Sequence, residues 1–261
     1  MTERLVKFPP ESPEQRLLCE LMFLSIAIII FGVFGRYASI DVRFTVIITI
    51  FVVINLIIRF LLIWEKSDWI FFLFGVLVGG GNDLLSMING VYDYTAITII
   101  PDLKLPIFMW LFWGQVFLLF RKAYNIKWFR GEGFKKEGEF INGWVDKKLI
   151  FDIILLIILR IVIYNSYDFE FWIPAFFYAV CIGIRFIIFP PKKNELLIIS
   201  ILPYAFMFEG LMVTFGLYIY YNPIFLGLPL WLFLWWIFLV PFVLKEFFDR
   251  LEFIVLDKKK S

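Results

Sequence analysis

Long apolar runs constrain this chain more than any other feature of its sequence. Eight runs are almost free of charged side chains, at residues 17–35, 44–64, 69–92, 105–120, 149–163, 171–189, 196–220 and 223–244. A helix needs about 17–25 apolar residues to cross a bilayer. The apolar share of the chain, 62%, also exceeds the roughly 45–50% of soluble domains. The sequence therefore predicts an all-α integral membrane protein with about eight transmembrane helices.

Basic residues predict the orientation of these helices, because Lys and Arg concentrate on the cytoplasmic side. With eight spans, 19 of the 25 basic residues lie on the side that holds both termini, and three lie in the opposite loops. Both termini of this multi-pass cell-membrane protein are therefore predicted to be cytoplasmic. The basic segments 121–148 and 245–260 also carry aromatic side chains. The usual excess of basic residues on the cytoplasmic side accounts for both segments, and binding of the segments to an anionic leaflet is the alternative.

Rare residues recur in the same order in the two halves of the chain. The pattern R-F-x22-[DE]-x6-G-x-Y-x-Y begins at Arg59 and again at Arg185, an offset of 126 positions. After a gap of three residues the match continues between 106–122 and 229–245, where Pro, Trp and Lys coincide. Apolar segments match easily by chance, but rare residues in a fixed order do not. We infer a tandem duplication.

The duplication divides the chain into two copies of four helices each, 1–125 and 149–245. A basic cytoplasmic loop, 126–148, joins them, and an amphipathic basic tail, 246–261, follows. Because four is an even number, the copies have parallel orientation. They are therefore predicted to be related by a pseudo-two-fold axis along the membrane normal.

Each copy places one acid deep inside a predicted helix, Asp83 in the first and Glu209 in the second. A charge in the bilayer costs roughly 2.5–3.5 kcal/mol, so such residues face the bundle interior. The glycine and tyrosine seven and eleven residues later are predicted to share one helical stripe with the acid, and the glycine leaves a notch there. We predict that the two acids are proton donors or relays; setting the packing between helices is the alternative role. The predicted substrate-binding residues are Gly90, Tyr94, Gly216, Tyr220 and Arg160.

Three arginines lie inside apolar runs. Arg59 and Arg185 are close to the cytoplasmic ends of their helices, so their side chains are predicted to reach the membrane interface. Arg160 is nearer the depth of Glu209 and is its predicted partner. Residues 79–81 are a glycine run directly before Asp83, and a proline stands six residues before Glu209. Both predict interrupted helices, which in transporters mark binding sites.

Several chemistries are excluded or disfavoured by the composition. The chain has no His, which excludes His-ligated zinc, haem and di-iron sites. Its two cysteines, Cys19 and Cys181, lie in apolar runs and predict no disulfide framework. We expect no metal, no cofactor and no nucleic-acid partner. The sequence does not predict an oligomeric state.

The motif D-x6-G-x-Y-x-Y, followed by proline and aromatic residues, resembles membrane proteins of the carotenoid pathway. These are the repeated lycopene cyclase domain and the bisanhydrobacterioruberin hydratases. The resemblance covers residues 83–113 and 209–236, under a quarter of the chain. In the cyclase domains an acid pair follows the proline, whereas apolar residues follow Pro106 and Pro229 here. The resemblance implies a shared fold with both repeat acids near an isoprenoid-shaped cavity, without the acid pair of the cyclases.

The leading hypothesis is a membrane protein that binds an apolar lipid or isoprenoid between its two halves. Intramembrane carboxylates would supply acid–base catalysis. The resemblance implies isoprenoid metabolism, and carotenoid biosynthesis in particular, as the setting. Whether the protein is an enzyme stays open at this point. A proton-coupled small-solute or ion transporter is one alternative, and a non-catalytic membrane scaffold is another. Membrane lipids and an apolar small molecule are the expected partners.

Overall fold

The computed structural model describes residues 10–132 and 144–257, and almost all of its regular structure is helical. Five helices are long and apolar enough to cross a membrane: Pro13–Ala38, Val42–Ile63, Asp68–Ile88, Lys193–Thr214 and Leu230–Val255. The other three predicted spans correspond to helices of 17 or 18 residues. The structure is therefore consistent with an all-α membrane fold.

The first half of the chain contains four helices, the third of which has three segments, and one short strand. They are α1 (Pro13–Ala38), α2 (Val42–Ile63), α3 (Asp68–Phe74), a π-helical segment (Gly75–Gly80), α4 (Gly81–Ile88), β1 (Tyr92–Tyr94) and α5 (Ile107–Tyr124). Polar side chains fix the starts of the first two helices. The Ser12 hydroxyl accepts the backbone N–H of Gln15 at 3.2 Å, and the Asp41 carboxylate accepts that of Arg43 at 2.9 Å.

The second half begins with a short helix, α6 (Lys127–Arg130), and it also places a strand after an interrupted helix. Its elements are α7 (Lys147–Tyr164), α8 (Trp172–Ile188), α9 (Lys193–Ile198), a 3₁₀ turn (Ile199–Ile201), α10 (Leu202–Thr214), β2 (Tyr218–Tyr220), α11 (Leu230–Phe238), a π-helical segment (Leu239–Leu244) and α12 (Lys245–Asp257). The third helix is thus interrupted in both halves, as the glycine run and the proline predict. The two predicted basic segments fall partly on residues 133–143 and 258–261, outside the described residues.

The chain forms two compact units. Unit 1 contains Met1–Ile126 and Phe208–Tyr220, and unit 2 contains Lys127–Met207 and Tyr221–Ser261. The segment Phe208–Tyr220, which the sequence assigns to the second copy, therefore belongs to the same unit as the whole first copy. This placement brings both repeat acids into unit 1.

Aromatic rings and glycines build the interior of unit 1. Phe31 of α1 packs against Phe108 and Phe112 of α5, with ring centroids 5.3 and 5.1 Å away. The third helix approaches α5 so closely that a Cβ added at Gly75 would lie 2.6 Å from the Cβ of Phe117. Small residues permit such close approach between helices, and this contact positions the helix that carries Asp83.

Two predicted helical runs are too long, and with them the predicted helical stripes are wrong. The run 69–92 ends as a helix at Ile88, and the run 196–220 ends at Thr214. Tyr94 and Tyr220 consequently lie on strands, not on the helices of their acids. The last run also starts late, since its helix begins at Leu230 and not at residue 223. In contrast, the runs 105–120 and 149–163 are the two shortest, and their helices, α5 and α7, extend beyond them into polar residues.

Candidate functional site

Asp83 is buried in unit 1 and accepts three hydrogen bonds from neutral side chains. The hydroxyls of Tyr92 and Tyr94 donate to its two carboxyl oxygens at 2.6 and 2.7 Å. The indole N–H of Trp113, on α5, donates at 2.6 Å to the oxygen that also binds Tyr94. Hydrogen bonds of this length stabilise a carboxylate and fix its orientation.

A glycine turn at the end of α4 makes these contacts possible. Gly90 has a φ of +75°, in the left-handed region that glycine adopts without steric cost. Its N–H donates to the carbonyl of Met87 at 3.1 Å, and the N–H of Val91 donates to that of Ser86 at 3.0 Å. This pair of bonds is the Schellman motif, which ends a helix and reverses the chain. The strand β1 consequently returns its tyrosines to Asp83.

The second copy forms the same arrangement. Gly216 has a φ of +71° and donates its N–H to Val213 at 2.8 Å, while Leu217 donates to Met212 at 3.1 Å. The Tyr220 hydroxyl then donates to Glu209 at 2.7 Å. The separation of eleven residues equals that between Asp83 and Tyr94. We call Asp83, Gly90 and Tyr94 the Asp83 arm, and Glu209, Gly216 and Tyr220 the Glu209 arm.

The two arms meet in an antiparallel two-stranded ribbon within unit 1. Tyr92 lies opposite Tyr220, with ring centroids 5.0 Å apart. Tyr94 lies opposite Tyr218, with centroids 5.1 Å apart. Alternate residues of a strand share a face, so all four rings stand on one side of the ribbon. Ring contacts of this kind are typical of stable aromatic pairs. We call these four residues the tyrosine cluster.

The environment keeps the tyrosine hydroxyls protonated. Burial raises the pKa of Tyr94, Tyr218 and Tyr220 well above the ordinary tyrosine value. The neighbouring carboxylate raises the pKa further, because a second negative charge beside it is unfavourable. The hydroxyls are therefore hydrogen-bond donors at neutral pH.

The glycine run positions the tryptophan that contacts Asp83. A Cβ added at Gly79 would lie 2.6 Å from the indole ring of Trp113, and one at Gly80 would lie 2.5 Å from that of Trp110. A Cβ at Gly81 would meet no atom within 4 Å. The run lies at the end of the π-helical segment, a feature often found at functional sites.

The arginines of the repeated R-F pair are buried, so the prediction that they reach the interface is wrong. Arg59 pairs with Glu20 and Asp68, at 3.0 Å from Nε to Oε1 and 2.7 Å from Nη1 to Oδ2. In unit 2, Arg185 pairs with Asp152 at 3.1 Å. The acids compensate the positive charge inside the protein, so the arginine need not reach water. Glu20 and Asp152 are each the only acid in their apolar run, a signal that could have identified them.

The structure brings together most of the predicted site residues, though not all. The two acids, Tyr94 and Tyr220 join one cluster, and the two glycines form its turns. Arg160 lies in unit 2, with its guanidinium carbon 3.8 Å from the ring centroid of Trp235. Its predicted pairing with Glu209 and its role in binding stay predictions. Trp113, Tyr92 and Tyr218 were not predicted as site residues.

The described residues contain no group of three or more His, Cys, Asp or Glu placed to hold a metal ion. Comparison with protein-family models, with curated proteins and with solved structures finds no match. A functional assignment for this chain rests on the geometry of the carboxylates and the tyrosine cluster.

Proposed function

We propose that the protein binds an apolar lipid or isoprenoid in the membrane and exchanges protons with it through Asp83 and Glu209. The observation that carries the proposal is the pair of arms, in each of which a tyrosine hydroxyl donates to the carboxyl group at 2.7 Å. Acids at this position in a membrane protein are costly, and their usual roles are functional. Both sequence copies contribute to the site, which fits a ligand held where the copies meet.

The proposal includes eight spans, two parallel repeats and cytoplasmic termini. An interrupted helix followed by a short strand in each half supports the repeats, and the basic residues support the orientation. Asp83 stands 15 residues after the start of its helix at Asp68. At 1.5 Å per residue this is roughly 22 Å, which lies beyond the middle of a core about 30 Å thick. An apolar ligand would reach the acids from the lipid phase.

With two acids in the site, one can donate a proton to the substrate and the other can remove a proton from it. One carboxylic acid donates its proton to a carbon of a double bond, and the electron pair of that bond forms the new C–H bond. The tyrosine hydroxyls stabilise the carboxylate that remains. The other carboxylate then removes a proton from a carbon beside the cation, and a new double bond forms. The net reaction is the isomerisation of a double bond, which needs no oxidant because the second acid gains the proton that the first one loses. The carotenoid-pathway resemblance supports an isoprenoid as the substrate.

Lipid extracts from cells that express the protein test this proposal. Asp83→Asn and Glu209→Gln keep the size of each side chain but remove its acid, and we expect each to abolish the change in lipid products. General acid–base groups contribute typically about 10²–10⁴-fold to a rate. Asp93→Asn is the matched control, because Asp93 is exposed on β1 between two cluster tyrosines. Products that are the same with both acid variants as with the wild type would contradict catalysis.

A proton-coupled transporter of a small solute or ion is the second candidate function. The observation that favours it is the interruption before each acid, a π-helical segment before Asp83 and a 3₁₀ turn before Glu209. Paired interrupted helices of this kind form the binding sites of known transporters. Uptake into proteoliposomes that depends on a pH gradient, and that is lost with Asp83→Asn, would favour transport over catalysis.

A further inference from the structure

Unit 2 carries a loop whose end is exposed and entirely apolar. Ile224, Phe225 and Leu226 follow β2, and Phe225 is the most exposed of them at 61%. The segment 210–244, which includes this loop, contains no Asp, Glu, Lys or Arg. Loops in water are usually rich in polar residues, so this composition needs a physical reason.

The turn at the end of this loop adopts a conformation that does not favour leucine. Leu226 and Gly227 have φ of +54° and +75°, and the N–H of Leu228 donates to the carbonyl of Phe225 at 2.9 Å. A tight turn with two such residues strongly prefers Asn, Asp or Gly at the first position. Leucine there is strained and exposes an apolar side chain to water. Both costs are offset if the side chain lies in lipid.

A second loop of unit 2 lies beside the first and extends its apolar surface. The Asn222 side chain donates to the carbonyl of Phe169 at 2.7 Å, and the rings of Tyr167 and Tyr221 lie 5.2 Å apart. The second loop and the start of α8 also expose large aromatic side chains, namely Phe169, Phe171 and Trp172. The six exposed residues, which we call the apolar tip, are Ile224, Phe225, Leu226, Phe169, Phe171 and Trp172.

The apolar tip is continuous with the exposed apolar surfaces of two helices. The membrane-length helix Leu230–Val255 begins four residues after Leu226. On the other loop, Trp172 starts the apolar helix α8, which exposes Phe176 and Phe177 one turn later. The tip thus lies where two apolar helices end, and aromatic side chains concentrate at this depth in membrane proteins.

We propose that the apolar tip inserts into the interfacial region of the non-cytoplasmic leaflet and anchors unit 2 there. Its partner is the acyl and glycerol region of the lipids, because the tip offers aromatic and aliphatic surface and no charge. Asp168 and Glu170, in the second loop, would remain on the aqueous side. This inference rests on the proposed eight-span topology, but it is independent of the proposed chemistry at Asp83 and Glu209.

An environment-sensitive fluorophore on the full chain tests the insertion. NBD is attached to Phe225→Cys in a background that carries Cys19→Ala and Cys181→Ala, and the protein is reconstituted into phosphatidylcholine nanodiscs. The matched control is Lys192→Cys, an exposed position of unit 2 between α8 and α9. We expect emission from the Phe225 site to be blue-shifted, to be quenched several-fold more by doxyl-labelled lipid than emission from the control, and to be quenched less by aqueous iodide.

Two results would overturn the proposal. If iodide quenches the probe at 225 as strongly as the probe at 192, the tip lies in water. If neither iodide nor doxyl lipid quenches it, protein covers the tip. Ile224→Cys provides a second probe site, so the test stands if the Phe225 variant does not fold.

Discussion

The Asp83 arm and the Glu209 arm reach the same contact through different surroundings. In both, a tyrosine eleven residues after the acid donates at 2.7 Å, and a glycine between them has a φ above +70°. A π-helical segment precedes Asp83, whereas a 3₁₀ turn precedes Glu209. Trp113 contacts Asp83, but its sequence counterpart, Trp236, belongs to unit 2. The short motif therefore determines the local fold of each arm, while the surrounding helices differ between the copies.

Removing one tyrosine hydroxyl from each arm tests whether the arms are equivalent, and it should have the largest effect. We expect Tyr94→Phe and Tyr220→Phe each to lower stability by about 1.5–3 kcal/mol, as for other hydrogen bonds to charged groups. Unfolding in mixed micelles measures the change. Tyr37→Phe, at an exposed position of α1, is the control and should have almost no effect. A cost in one arm alone would show that the arms differ in energy despite their equal geometry.

A methyl group in the glycine run tests the feature that is particular to the Asp83 arm. Gly79→Ala places a Cβ against the Trp113 ring and should destabilise the protein by about 1–3 kcal/mol, as overpacking does. Gly81→Ala is the matched control two residues away. The added methyl group would contact no atom within 4 Å, so stability should be unchanged or should rise by up to about 1 kcal/mol from helix propensity. Equal effects of the two changes on the thermal midpoint would argue against close packing of Trp113.

The turn glycines should respond equally if the motif alone forms both arms. Gly90→Ala and Gly216→Ala each force a residue with a Cβ into the left-handed region, at a cost of about 1–2 kcal/mol. At Gly216 the added Cβ would be 3.5 Å from the Cγ of Arg36, an ordinary contact, so its cost would arise from φ. Gly183→Ala on α8 is the control, because a Cβ added there would meet no atom within 4 Å. Thermal midpoints that fall in one arm only would contradict the equivalence of the turns.

The smallest effect is expected at a buried amide that distinguishes the two copies. Gln115 is fully buried, and within the described parts of the chain its Nε2 and Oε1 have no hydrogen-bond partner. The aligned residue of the second copy is Phe238, which is also buried. We expect Gln115→Met to raise stability by about 1 kcal/mol, since it removes an unsatisfied polar group. A lower thermal midpoint would show that the amide binds a partner, such as a bound ligand or water.

The sequence predicts the helical membrane class and the acid–tyrosine association, but not the geometry of that association. Asp83 and Tyr94 are eleven residues apart, and this spacing suits one stripe of a continuous helix. The glycine between them instead ends the helix, because a Schellman turn satisfies its last carbonyls. The contact forms across a turn. Tyr92 and Tyr218 are part of the motif, but on a continuous helix they would point away from the acid. The prediction of a helical stripe therefore omits them.

Tertiary partners were the least predictable part of the site. The contact of Trp113 with Asp83 depends on how closely α5 approaches the third helix, and no local pattern contains that distance. The partners of Arg59 and Arg185 were closer to being predictable, because an acid alone in an apolar run needs compensation. The position of both arginines close to the ends of their helices predicts that their side chains reach the membrane interface. Instead, ion pairs with the buried acids Glu20 and Asp152 hold the two side chains inside the protein.

The ribbon of three-residue strands also imposes an order on biosynthesis. Tyr92 and Tyr220 pair directly although 128 positions separate them in the chain. Most of unit 1 leaves the ribosome long before β2 is translated, so Asp83 is first made with only half of its tyrosine cluster. The nascent protein must keep this partly assembled region intact while the helices from α5 to α10 are made, and unit 1 is completed only when Phe208–Tyr220 is translated.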